Sequence, residues 1–288
     1  MQTMDSLQKR IKTTSDLLAV VKTMKSLAAV NIRHFDQAAH SMMAYAEVVE
    51  QAWSVLFRSG GIMLPTPRAD KSVVLVIGSD QGMCGQFNEV ATQAGLSVGK
   101  RLDQEEFKAT FWSAGSRVGA ALEDSGKKPQ LHFSIPGTLG GVDRVVTQLV
   151  ERMAEAKRDG TERFHVVYNA QNESEGYSPK DDRVLPLDAA WGKKLASAPW
   201  PGRCLPQALT PGEIMFSGLF AQHLFVSLYG AITRSMAAEN SARLAAMHAA
   251  EKNIDEMRTE LQGNFRQTRQ NAITGELLDI IAGFEAMT

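Results

Sequence analysis

The sequence predicts an α/β protein of uncommon plan: a long antiparallel coiled coil made by its N- and C-terminal helices, plus a small Rossmann-like, mostly parallel α/β domain. Three observations carry this reading. A heptad stripe runs through the start of the chain, a second long proline-free stretch closes it, and between them short β-branched runs alternate with helical segments. The segments implied are 1–58, 72–190 and 208–286.

The first stripe is read in alternating steps of four and three. Leu7, Ile11, Thr14, Leu18, Val21, Lys25, Ala28, Ile32, Phe35, Ala39, Met42, Ala46, Val49, Trp53 and Leu56 follow one another, and only Thr14 and Lys25 are not apolar. A 3.5-residue repeat sustained this far marks a coiled-coil seam, because paired helices must under-wind to keep such a stripe facing one partner. At about 1.5 Å per residue this helix would run roughly 75 to 80 Å.

The closing helix is expected from Thr210, where "TPGE" offers a cap residue followed by proline and glutamate, to about Phe284. Its stripe passes through Leu244, Met247, Ala250, Ile254, Met257, Leu261 and Phe265, with many alanines between Ala237 and Ala250 that allow close helix approach. A length of roughly 70 residues exceeds ordinary globular helices, so the two chain ends are expected to pair with each other. Within it, Ile214 to Thr233 is uncharged and about as long as a bilayer span. Ser217, Gln222, His223, Ser227 and Tyr229 interrupt that run, and polar groups unpaired in hydrocarbon are costly, so a buried helix is expected there.

The middle begins with a glycine- and proline-rich loop signal, "RSGGIMLPTPRADKS". Strands are expected at "SVVLVIGS", "ATFWSAG", "LHFSIPG" and "FHVVYNAQ", and helices near Asn88 to Leu102, Ser116 to Glu123 and Val142 to Asp159. Proline- and glycine-rich sequence from Ser178 to Pro211 is expected to lead back to the long helix.

The turn after the first strand, "GSDQGMCGQFN", has the composition of a phosphate-binding loop but not its spacing. Gly78, Gly82 and Gly85 miss the dinucleotide fingerprint, and no Gly-Lys pair is followed by serine or threonine. A tight strand-to-helix turn is the expectation. Asp80, at the strand end, is either a catalytic carboxylate or a cap of the helix that follows, and capping is the commoner role. The six histidines show no metal-ligand spacing, and Cys84 and Cys204 stand far apart as ordinary thiols of a reducing compartment. A net charge of −1 gives no bulk polyanion-binding character, so nucleic acid is not an expected partner. The N-terminal stretch lacks the apolar core of a secretory signal.

Three stretches carry a resemblance. Through "VVKTMKSLAAVNIR" (Val20 to Arg33), the glycine turn, and "AAENSARLAAMHAAEKN" followed by "NFRQTRQNAITGELLDIIAG", the chain resembles the gamma-subunit family of F-type ATP synthases, with "VLPL" at Val184 to Leu187 in support. The resemblance covers essentially the whole length, and "TRQNAITGEL" is its most specific piece.

What the resemblance implies is a non-catalytic central-stalk rotor. It would stand inside three alpha and three beta subunits, with an epsilon subunit and a membrane c-ring as further partners, on the cytoplasmic face of a bacterial inner membrane. No cofactor and no direct nucleotide binding are expected. Arg269, Gln270 and Thr274 match the family's polar cluster near the helix end and would contact a beta subunit, as would Met24 and Lys25. Arg243 matches a family arginine expected to make a helix-to-ring or helix-to-helix polar contact. Lys25 also occupies the seam, where a lysine either specifies register or snorkels its charge toward a partner carboxylate. Gln81 and Met83 depart from the family's arginine and leucine, and "APWPGRCLPQALTP" replaces its usual foot, which suits a divergent bacterial branch. Two rival readings are a free coiled-coil scaffold, which should self-associate, and a small α/β enzyme using the turn near Asp80, which should bind substrate alone.

Overall fold

The computed structural model describes residues 3–59, 64, 70–172, 176–200, 202–204 and 206–285. Its elements are α1 (Met4–Arg58), β1 (Lys71–Ile77), α2 (Phe87–Gln104), β2 (Lys108–Ala114), α3 (Ser116–Asp124), β3 (Leu131–Phe133), α4 (Val142–Arg158), β4 (Thr161–Gln171), β5 (Tyr177–Leu185), α5 (Ala189–Ser197) and α6 (Gly212–Glu285). The fold class expected from the sequence is met. Most of the loop expected between Arg58 and Ser72, and Pro201 and Leu205 in the altered foot, lie outside the described residues. The chain divides into two compact units, one of Met1–Ala28 with Leu244–Thr288 and the other of Ala29–Arg243.

The first unit is a helix pair. On α1 the residues Leu7, Thr14, Leu18, Val21 and Ala28 are buried, a 3.5-residue period as the sequence predicts. Lys25 meets Glu251 of α6, while Thr3, Met4 and Leu7 share a cavity with Asn264, Gln267, Thr268 and Asn271. Residue numbers therefore rise along one helix as they fall along the other, which makes the pair antiparallel. On α6 a matching series of buried and half-buried positions runs through Met247, Glu251, Ile254, Arg258, Leu261, Phe265 and Thr268, with Leu244, Ala246, Ala250, Asp255 and Gly275 half-buried beside it. Met257 is half exposed, so the seam passes through Arg258 instead of the methionine expected there. Position in the heptad outweighs hydropathy at that step.

The second unit is built on a five-stranded sheet of order β3-β2-β1-β4-β5, parallel except for the β4–β5 pair. β1 is buried on both faces after Lys71, which is why it reads as a continuous apolar run. One face carries Val73, Leu75, Ile77, Trp112, Phe164 and Val166 against Val146 and Leu149 of α4 and Leu228 and Ile232 of α6. The opposite face sets Val74, Val76, Phe111 and Val167 against Val98 and Leu102 of α2 and Val118 and Leu122 of α3.

Two elements were not expected. β5 (sequence "YSPKDDRVL") runs antiparallel at the sheet edge, and α5 follows it with Asp188 capping the Ala190 amide at 2.8 Å. Apart from Tyr177, both lie in the proline- and glycine-rich stretch from Ser178 to Pro211 that is expected only to lead back to the long helix. An edge strand that carries proline and four charged residues shows none of the usual strand signals, because only one of its sides needs to pair.

Helix α6 is the one described helix long and apolar enough to cross a membrane by length and composition. The burial expected over its uncharged stretch holds from Leu224 onward, whereas Ile214, Ser217, Gly218, Ala221 and Gln222 are exposed. Around its first turns an aromatic cluster joins Trp53 and Phe57 of α1, Trp191 of α5, and Phe216 and His223 of α6. Burial there holds the His223 imidazole below its ordinary pKa of 6.5. The folded state resists the proton that the unfolded chain accepts, so this contribution is intact above 6.5 and is lost as pH falls through the lowered value. Urea midpoints at about pH 7.5 and about pH 5.5 should differ less in His223→Phe than in the native chain.

Candidate functional site: the glycine turn and the helix pair

The turn after β1 is closed by its own side chains. Ser79 N donates to Asn88 Oδ1 at 2.9 Å, and Asn88 Nδ2 donates back to Ser79 Oγ at 2.9 Å. A Cβ on Gly78 would lie 2.5 Å from Asn88 Oδ1 and from Val118 Cβ. The backbone at Gly78 is therefore packed against neighbours, whereas a Cβ on Gly85 would meet nothing within 4 Å. Burial pushes the Cys84 thiol up, the Ser79 hydrogen bond notwithstanding, so it stays protonated and unreactive at neutral pH.

Asp80 spans two elements. Its Oδ1 accepts from Ser116 N at 2.6 Å, at the start of α3, and its Oδ2 accepts from Ile135 N at 2.9 Å, beyond β3. It caps α3, not the helix that directly follows it. Both oxygens are engaged by backbone, which disfavours the reading of Asp80 as an acid or base on a substrate. Asp80→Ala should lower stability by about 1–2 kcal/mol, the scale of a lost cap, in equilibrium urea unfolding.

Arg243 turns inward. Its Nη2 donates to Glu239 Oε1 at 2.6 Å, one turn earlier on α6, and reaches the carbonyls of Gln81 and Gly82 at 3.3 and 3.4 Å. Both side chains are about nine-tenths buried. Burial pushes the Glu239 carboxyl up against the pull of Arg243, with Asp80 adding to the rise. The pair pins the glycine turn onto α6, and Met83 at its tip stands exposed with φ of 62°. Glu239 was not singled out in the sequence; its i, i+4 spacing from Arg243 was the available signal.

The other candidate residues lie in the helix-pair unit. Arg269, Gln270 and Thr274 are exposed on α6, where the Thr274 hydroxyl donates to Gln270 O at 3.0 Å. Met24 is half-buried on α1. Lys25 Nζ donates to Glu251 Oε2 at 2.6 Å, with Lys22 Nζ 3.9 Å from the other carboxylate oxygen. The Lys25 hydrogen bond holds the Glu251 carboxyl below its usual range. Glu251, too, escaped the sequence reading.

The antiparallel pairing of two long terminal helices, together with a mostly parallel five-stranded α/β domain, defines the class of protein. The family model described as ATP synthase matches residues 3–287, and the chain belongs to that family. Among curated relatives, the ATP synthase gamma chain of Polynucleobacter necessarius is 24% identical over 98% of both chains. That of Flavobacterium johnsoniae is 27% identical over 100% of this chain and 99% of its own. Among solved structures, a chain of the Euglena gracilis mitochondrial ATP synthase aligns with a TM-score of 0.69 at 16% identity, covering 99% of this chain and 94% of its own. A chain of the Tetrahymena thermophila central stalk and c-ring aligns with a TM-score of 0.56 at 18% identity, covering 80% of this chain and 99% of its own.

Proposed function

We propose that this chain is the central-stalk rotor subunit of an F-type ATP synthase. It couples ion flow through a membrane sector to ATP synthesis or hydrolysis at a ring of three alpha and three beta subunits. The observation that carries the reading is the match to gamma chains along the whole length. The chain itself performs no catalysis and holds no nucleotide. A shaft acts by touching the alternative states of its partners unequally, since only differential contact free energy shifts an equilibrium. An epsilon subunit and a c-ring complete its partners, in a complex attached to the cytoplasmic face of a bacterial inner membrane.

The working division is into a helix at 1–58, an α/β domain at 72–190 and a helix at 208–286. Arg269, Gln270 and Thr274 are assigned to a beta-subunit contact, supported by their exposure near the end of the described helix. Met24 and Lys25 join that contact region, Lys25 through its aliphatic stem. Arg243, engaged with Glu239 and the glycine turn, is assigned to a contact within the chain.

The test is co-expression with the alpha and beta subunits of the same organism, followed by the subunit ratio and Mg-ATPase activity of the purified complex. One copy per three alpha and three beta is expected. Alanine at Arg269, Gln270 and Thr274 together should lower coupled turnover by about tenfold, the scale of one lost charge-assisted hydrogen bond. Failure to assemble, or ATP turnover by this chain alone, would defeat the reading.

A further inference from the structure

Lys25 is the one charged residue in the α1 seam between Leu7 and Ala28, and the helix pair answers it with one carboxylate. Glu251 lies at a seam position of α6, and its side chain is 19% exposed, against 36% for Lys25. The neighbouring seam residues, Val21 and Ala28 on one helix and Met247 and Ile254 on the other, carry no charge. Apolar seams built on a regular heptad tolerate a slip of one heptad, about 10 Å along the axis, because apolar residues then meet other apolar residues. Such a slip is not neutral here. In one direction it sets Lys25 against Leu244; in the other it sets Lys25 against Arg258, whose own carboxylate neighbour is Asp255 at 3.1 Å. Either way Lys25 and Glu251 lose each other.

We infer that the Lys25–Glu251 pair, with Lys22 beside it, is a register lock that holds the axial setting of the two helix segments of the first unit, 3–28 and 244–285, whose other seam contacts are mostly apolar and carry no such selectivity. It does so by penalising the slipped alternatives more than by adding stability, because a polar group at one seam position specifies register at a cost in stability. The inference rests on the rotor reading, since a shaft presents defined faces to its ring only if its two helices hold one setting. Lys25 is then a positioning residue for coupling, and its charge is spent inside the shaft.

The test uses the assembled complex in membrane vesicles and reads the ratio of ATP-driven ion pumping to ATP hydrolysis, together with the thermal midpoint of the free chain. Lys25→Glu should lower the ratio by about threefold or more, and the charge swap Lys25→Glu with Glu251→Lys should restore most of it. Lys25→Leu should leave the midpoint unchanged or raise it while lowering the ratio, a split that a merely stabilising ion pair would not produce. If the swap fails to rescue Lys25→Glu, the lysine charge serves a carboxylate on another subunit and the lock is refuted. An unchanged ratio in Lys25→Glu refutes it equally. A native chain that assembles with no ring overturns the rotor reading itself, an outcome visible before any variant is made.

Discussion

Replacing Arg243 with alanine should destabilise the chain by about 3–5 kcal/mol, the range found when one partner of a buried ion pair is removed. The guanidinium gives one bond to Glu239 and two longer ones to the carbonyls of Gln81 and Gly82. Its loss leaves a buried carboxyl without a cation and frees the glycine turn from α6. The effect should depend on pH. Glu239 already has a raised pKa, so the folded state favours its protonated form. Stability from this group is full below the ordinary value of 4.5 and falls as pH rises through the folded value, more steeply once Arg243 is gone. Urea titrations should therefore show a larger deficit for Arg243→Ala at about pH 8 than at about pH 5. Adding Glu239→Gln should recover part of the loss at the higher pH, and equal deficits at both would refute this account.

The second large effect is expected at Trp53. This side chain is fully buried, stacks on Phe57 at 5.3 Å between centroids, and meets Trp191 and Phe216 edge-on at 5.9 and 5.4 Å. It joins α1, α5 and α6. Trp53→Ala removes the hub of that cluster and should cost about 3–5 kcal/mol in urea unfolding, the range for large aromatic truncations in cores. Trp53→Phe should retain most of the stability, because the indole Nε1 has no hydrogen-bond partner among the described residues and its loss leaves none of them newly unsatisfied. A phenylalanine variant as unstable as the alanine variant would point to shape, not burial, as the controlling quantity.

Much of this fold was legible because periodicity is a property of the sequence itself. The α1 seam could be counted out from Leu7 to Leu56, and β1 announced its double burial through an unbroken apolar run. What escaped depends on partners distant in sequence. Glu251 reads as one more surface charge until Lys25 is set opposite it, 226 positions away. Asp80 was readable as a cap but not as the cap of α3, since the Ser116 amide reaches it only through the parallel pairing of β1 with β2. Met257 was misplaced for the opposite reason: hydropathy favoured it for the seam, whereas the phase set by Met247, Ile254 and Leu261 put Arg258 there.

The β4–β5 pairing has a consequence for the chain before any assembly. β5 leaves a row of main-chain groups at the sheet margin, where Pro179 supplies no amide hydrogen and Lys180, Asp181, Asp182 and Arg183 crowd mixed charge onto successive positions. A strand from a second copy would lose one ladder bond at the proline and would have to desolvate charges along the rest. This margin of the sheet therefore disfavours the addition of a strand from a second copy.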